Sequence, residues 1–276
     1  MNIQVLSFFV FCAVLTYAQE KVVDLPPILE ESSALICIND STFITLNDSG
    51  NKPELYVFNQ KGEVYHTCFI KNAKNVDWEA MTTDGENRIF IGDIGNNKNK
   101  RKNLGIYTVQ KDEVLLKDST EAKFFSFSYP EQKSFPPPND SLYFDAEALI
   151  YKNDSLFIFT KNRTEPFDGK ALLYGLSTEV KKQEAKLYPY IQLKKSSWLE
   201  DSVTDAFYEN EQLFLLTYSK IYVFEYKGGV YEETDVIIME NITQKEAVFY
   251  LNGTLYLTDE KSKLGGQKLY KLNYKP

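Results

Sequence analysis

The chain has 276 residues, 43% of them hydrophobic, and 39 acidic against 31 basic side chains give it a net charge of −8. That is material for one large domain or two small ones, while scattered basic residues in an acidic chain argue against a nucleic-acid partner. One histidine and three cysteines exclude a disulfide framework and leave few ligands for zinc.

Residues 1–18 carry no charged side chain, and the apolar run from Val5 ends in Thr16-Tyr17-Ala18 before Gln19, the pattern of a secretory signal peptide. The run is too short to favour a membrane span of roughly 20 residues. The expectation is a secreted or periplasmic protein with no membrane span after cleavage, residues 19–276 forming one domain. Of its two remaining cysteines, Cys37 and Cys68 lie in apolar strand-like runs and read as buried free thiols, a single bridge being the alternative.

Beyond that point five segments align, each opening on an alanine: Ala34, Ala80, Ala148, Ala206 and Ala247. A short apolar strand follows each alanine, then a turn: Asn39-Asp40, Asp84-Gly85, Asn153-Asp154, Asn210-Glu211, Asn252-Gly253. These residues tolerate left-handed backbone or bond their own main chain, so they suit tight hairpins. A second apolar strand comes next. A third carries an aliphatic-tyrosine pair: Leu55-Tyr56, Ile106-Tyr107, Leu173-Tyr174, Ile221-Tyr222 and Leu269-Tyr270.

A fourth, outer strand is expected in "VYHTCFI", "AKFFSFSYP", "LYPYIQL" and "VIIMENI". The fifth unit lacks one, and "KVVDLPPIL" near the N-terminus can supply it, with Pro26 and Pro27 tolerable on an edge. Five four-stranded units of about 50 residues describe an all-β propeller closed by its N-terminal strand, six blades being the alternative. A β-sandwich does not readily yield such spacing. The Pro-rich stretch at residues 134–140 reads as a loop between blades two and three.

In this topology the starts of the inner strands and the ends of the second strands meet at one mouth of the axial channel. The residues before the alanines are Ser33, Glu79, Glu147, Asp205 and Glu246, so four of five equivalent positions are acidic. Asp77 and Asp145 stand two residues earlier in two units, and i, i+2 pairs on a strand point to one side. Second strands end at Asp48, Asp93 and Asp259.

An acidic collar follows, with Asp77, Glu79, Asp93, Asp145, Glu147, Asp205, Glu246 and Asp259 as candidate metal ligands. Crowded carboxylates need relief by a cation, raised pKa values or internal basic partners. Hard oxygen ligands suit Ca²⁺ or Mg²⁺; the competing reading is that these acids cap strands. Asp48, Trp78, Asn96, Lys161 and Arg163 are the candidate ligand contacts, Lys161 and Arg163 also being able to neutralise acids. Trp198 and Tyr218 also fall in or near the loops.

At Asn47–Gly50, Asn75–Glu79, Gly92–Asn97 with the basic run to Lys102, and Asp145–Leu149, the chain resembles a group of secreted bacterial proteins carrying NDSG, NVDWE, GDIGNN and DAEAL motifs. It is similar, more distantly, to calcium-dependent phytase-like and gluconolactonase-like propellers. The resemblance covers roughly the first 165 residues, implies a propeller, permits a calcium site and implies no activity. Relatives commonly extend the pair to D-W-E-D where Ala80 stands here, so one ligand is missing.

His66, in an outer-strand pattern, is far from the collar, which argues against Ser-His-Asp or Cys-His catalysis. The reading favoured is a monomeric propeller binding a small-molecule, glycan or peptide ligand, with Ca²⁺ at the collar. The alternative is a hydrolase, glycosidase or phosphoesterase, with Glu79 and Glu147 as the catalytic carboxylates.

Overall fold

The structure, a computed structural model, describes residues 19–275, so the expected signal peptide lies outside the described residues. Five antiparallel meanders stand around one axis, as five blades of a propeller. The first blade runs Ser32–Asn39, Thr42–Asn47, Glu54–Asn59, Val64–Ile70; the second Trp78–Thr83, Arg88–Asp93, Leu104–Gln110, Lys123–Ser128. The third comprises Asp145–Lys152, Ser155–Lys161, Lys170–Ser177 and Lys186–Gln192; the fourth Asp205–Glu209, Gln212–Leu216, Lys220–Lys227 and Val230–Ile238. Lys245–Leu251, Thr254–Asp259 and Lys268–Asn273 form the fifth, which Glu20–Asp24 completes by antiparallel pairing with Lys268–Asn273. The six-blade alternative is excluded.

The five inner strands contact one another in a closed ring. Their side chains are buried on both faces, since each blade packs on two neighbours. The core is accordingly divided into four clusters, each shared between adjacent blades, the largest joining the fifth, first and second. All five aliphatic-tyrosine pairs sit in third strands; Tyr174 and Tyr222 are fully buried. The hairpin turns behave as expected in three blades, with Asn153-Asp154, Asn210-Glu211 and Asn252-Gly253 all at positive φ. In the first blade the Asn39 side chain instead accepts from the Ser41 amide at 2.9 Å.

Three details differ from expectation. Pro26 and Pro27 lie beyond the closing strand, where Pro27–Leu29 forms a 3-10 turn, because a proline cannot donate to the ladder. The fourth blade's outer strand starts earlier, at Val230, the tight Gly228-Gly229 turn letting it pair back at once. Two short segments, Ser119–Thr120 and Lys182–Glu184, add in parallel to the outer edges of the first and second blades. Each is too brief for a periodic signal.

Cys37 and Cys68 are both free and buried, and burial raises the Cys68 thiol to about 11. Among the described residues no helix is long and apolar enough to cross a membrane.

Candidate functional site

Each inner strand starts at the same end of the channel, and in four blades the ladder slips by one residue there. Ser32 and Ala34, Trp78 and Ala80, Ala146 and Ala148, and Lys245 and Ala247 pair with consecutive partners. The residues skipped are Ser33, Glu79, Glu147 and Glu246. A bulge releases its extra residue from the pleat and re-aims its side chain, so the repeated position leaves the sheet surface. In the fourth blade Asp205 pairs with Leu216, whose carbonyl also accepts from the Thr204 amide at 2.9 Å, and one Asp205 carboxylate oxygen accepts from the Val248 amide of the next blade at 2.8 Å. Asp205 Oδ2 thus clamps the fourth blade to the fifth, while its Oδ1 is buried without a hydrogen-bond partner among the described residues. The bulges also break the strict i, i+2 rule for Asp77 with Glu79 and Asp145 with Glu147.

Three of the expected acids converge. Oxygens of Asp48, Asp77 and Glu79 all lie within 4.8 Å of one another. Glu79 is 6% exposed, yet no hydrogen bond or ion pair to its side chain is found among the described residues. Burial first, then repulsion from Glu147, Asp48, Asp145 and Asp77, pushes its carboxyl well above the usual range. Burial likewise raises Asp48 to about 6, against the pull of the Ser49 amide, and raises Asp77, against Arg101. Gly95 makes the close approach feasible: a Cβ there would contact Glu79 Oε1 and come within 2.6 Å of Asp77 Cγ.

The opposite wall is compensated. Lys161 Nζ stands 3.3 Å from Glu147, and Arg163 pairs with Asp145 at 2.7 Å and Glu147 at 3.4 Å. Burial pulls the Lys161 ammonium down, but Glu147 and Glu246 outweigh it and keep it protonated. The Lys161 ammonium donates to the Tyr218 hydroxyl at 3.0 Å, and Trp198 packs edge-on against Tyr218 while lying 5.1 Å from the Arg163 guanidinium. A cavity of about 270 Å³ opens beside this wall, lined by Trp198, Leu199, Tyr218, Thr243, Gln244 and Leu264.

Several expected residues are placed elsewhere. Asp93 is spent on Arg101 at 2.6 Å and on the Asp77 amide at 3.1 Å. Asp259 accepts from Thr243, Tyr270 and the Lys268 amide inside the fifth blade, so it cannot reach the collar. Trp78 is fully buried in the core against Tyr107, unable to stack on a ligand. Asn96 fastens the second blade to the third: its side chain donates to Phe144 O and accepts from the Lys100 and Arg101 amides.

Two residues were not anticipated as site members. Arg101 follows the glycine-asparagine loop and reaches back to Asp93 and to within 3.8 Å of Asp77. Glu260 accepts from Ser33 and Gln244, each at 2.7 Å, and burial with Glu246 nearby raises it to about 8. The adjacent pair Asp259-Glu260 was the only signal, since neighbouring strand residues face opposite ways. Glu246 Oε2 is buried without a partner.

No protein-family model and no curated protein matches the sequence. Among solved structures, a glutaminyl cyclase from Myxococcus xanthus is similar over 94% of this chain and 97% of its own, with a TM-score of 0.55 at 11% identity. A luciferin-regenerating enzyme is similar over 93% and 95%, with a TM-score of 0.55 at 9% identity. At such identities the likeness is one of fold: the chain is a five-bladed β-propeller with an acidic axial mouth.

Proposed function

We propose that this is an exported propeller that binds Ca²⁺ through Asp48, Asp77 and Glu79 and holds a small polar ligand between that ion and the Lys161–Arg163–Trp198–Tyr218 wall. The observation that carries the reading is Glu79, a nearly buried carboxylate with no internal partner and two further acids beside it. Burying an uncompensated charge is costly, and an ion repays that cost. Two oxygens bound to one Ca²⁺ at 2.3–2.6 Å lie at most about 5 Å apart, whereas Mg²⁺ limits them to about 4 Å. Three carboxylates within 4.8 Å of one another are hard oxygen donors of the kind Ca²⁺ takes, and its flexible coordination tolerates their spacing better than the strict octahedron of Mg²⁺.

The test is thermal unfolding with Ca²⁺, with Mg²⁺ and with a chelator. Calcium at 100 times its Kd adds about 2.7 kcal/mol, or a rise of about 5–10 °C for a domain of this size. Glu79→Gln should abolish the response while raising the melting temperature of the chelated protein. Equal melting curves in calcium and chelator would refute the site. The hydrolase alternative is weaker because Glu147 is engaged by both Lys161 and Arg163, although burial still raises its carboxyl well above the usual range. Turnover of an oligosaccharide or phosphoester that Glu147→Gln removes would restore it.

A further inference from the structure

The outer edge of each blade presents amides that point away from the sheet, and such edges invite pairing with other chains. In the first blade Leu55 pairs with Cys68, and the next outer amides, of Phe69 and Lys71, donate to Asp118 O and Thr120 O, each at 2.9 Å. In the second, Ile106 pairs with Phe125, and the Ser126 amide donates to Lys181 O at 3.0 Å. The third blade has Pro189 at this place, just after the Leu173–Tyr188 pair. The fifth has Pro26 at the position equivalent to Lys71. Proline has no amide hydrogen and blunts an edge. Two edges are thus occupied, and two are interrupted by a proline at one of the outward positions.

The fourth is neither. Ile221 pairs with Ile237, so the equivalents of Phe69 and Lys71 are Ile238 and Glu240. Between them the Met239 amide donates inward to Ser219 O at 2.8 Å, as Ile70 does to Pro53 O. Antiparallel alternation then turns the amides of Ile238 and Glu240 outward. Ile238 is 71% exposed on this edge. The covering segments of the first two blades come from the link between the third and fourth strands of the next blade. The fifth blade has no such link, because those two strands come from opposite ends of the described chain.

We propose that the outer strand of the fourth blade is a docking edge for an extended, basic segment of a partner protein, pairing in parallel at Ile238 as Ser119–Thr120 pairs beside Phe69. The exposed acids Glu232, Glu233 and Glu240 lie along the edge and select a basic partner. A second copy would bring the same acidic strand from a chain of net charge −8, so like charges would oppose each other. The added strand supplies main-chain hydrogen bonds for affinity, and its alternate side chains cover Ile238.

The probe is a fluorescein-labelled ten-residue peptide alternating Lys with Val and Thr, beside a matched peptide with Glu in place of Lys. Fluorescence anisotropy should show the lysine peptide binding and the glutamate peptide not, and hydrogen exchange should slow at residues 238–240. Ile238→Pro removes an outward amide without touching an inward hydrogen bond, and should weaken binding at least tenfold. Ile238→Lys, which keeps the amide, serves if the proline variant fails to fold, and should weaken it through repulsion. Glu79→Gln should leave binding unchanged, which separates this edge from the cation site. Absence of binding, equal binding of both peptides, or unaltered affinity in both variants overturns the proposal. So does a dimer in sedimentation that Ile238→Pro abolishes, since the occupant would then be a second copy.

Discussion

Glu79 and Glu147 occupy equivalent positions in neighbouring blades yet differ in circumstance. Glu147 has Lys161 and Arg163 within 3.4 Å, whereas Glu79 has only other acids. On the proposed reading, that difference places the ion beside Glu79 and not beside Glu147. Gly95 is what permits the acids to crowd, so Gly95→Ala should lower calcium affinity about tenfold, the lower end for residues supporting metal ligands, as titration calorimetry would show. The pH dependence has a definite sign. Asp48, raised to about 6, and Glu260, raised to about 8, bind protons more tightly in the folded state than unfolded. The stability they contribute is full below about pH 4 and is lost as pH rises through 6 and then 8. Chelated protein should therefore melt progressively lower from pH 5 to 8, and calcium should remove the part of that decline due to Asp48 while leaving the part due to Glu260.

At the scale of the element, the bulge matters more than the strand. Four inner strands begin with a register shift that aims one side chain off the sheet, whereas in the fourth blade one oxygen of Asp205 clamps the Val248 amide. Sequence periodicity could not distinguish the two, because a bulge depends on the partner strand's register and the acid looks identical in either case. The hairpins were better determined, since Asn, Asp and Gly signal left-handed backbone locally. Glu211 is the exception, at φ 63° without the side chain that tolerates it. Glu211→Gly should relieve about 1 kcal/mol of strain, less the weak exposed pair with Lys152, raising the midpoint by about 1–3 °C in calorimetry.

At the scale of the molecule, closure rests on Glu20–Asp24 pairing with Lys268–Asn273. A variant beginning at Leu25 loses the half-buried Val22 and Val23 and a set of ladder bonds. At about 1.5 kcal/mol per valine and about 1 kcal/mol per bond, it should lose about 4–6 kcal/mol. Its melting midpoint should fall by roughly 10 °C or more, with exchange fastest in the exposed strand. A midpoint within 2 °C of the parent would show that the ring does not depend on this strand.

The number of blades, their strand order and their closure by the N-terminus were legible in the sequence, and so was the end of the channel where acids gather. Those features repeat every 50 residues or so and arise from local patterns: apolar runs, turn residues and the aliphatic-tyrosine pair. Which acids meet was decided only by the tertiary structure. Asp48, Asp77 and Glu79 come together from two blades, Arg101 curls back to neutralise Asp93, and Glu260 arrives from the far end of the chain. Charge compensation acts through space over a few ångströms, and no spacing along one strand records which neighbour a carboxylate will find across the axis.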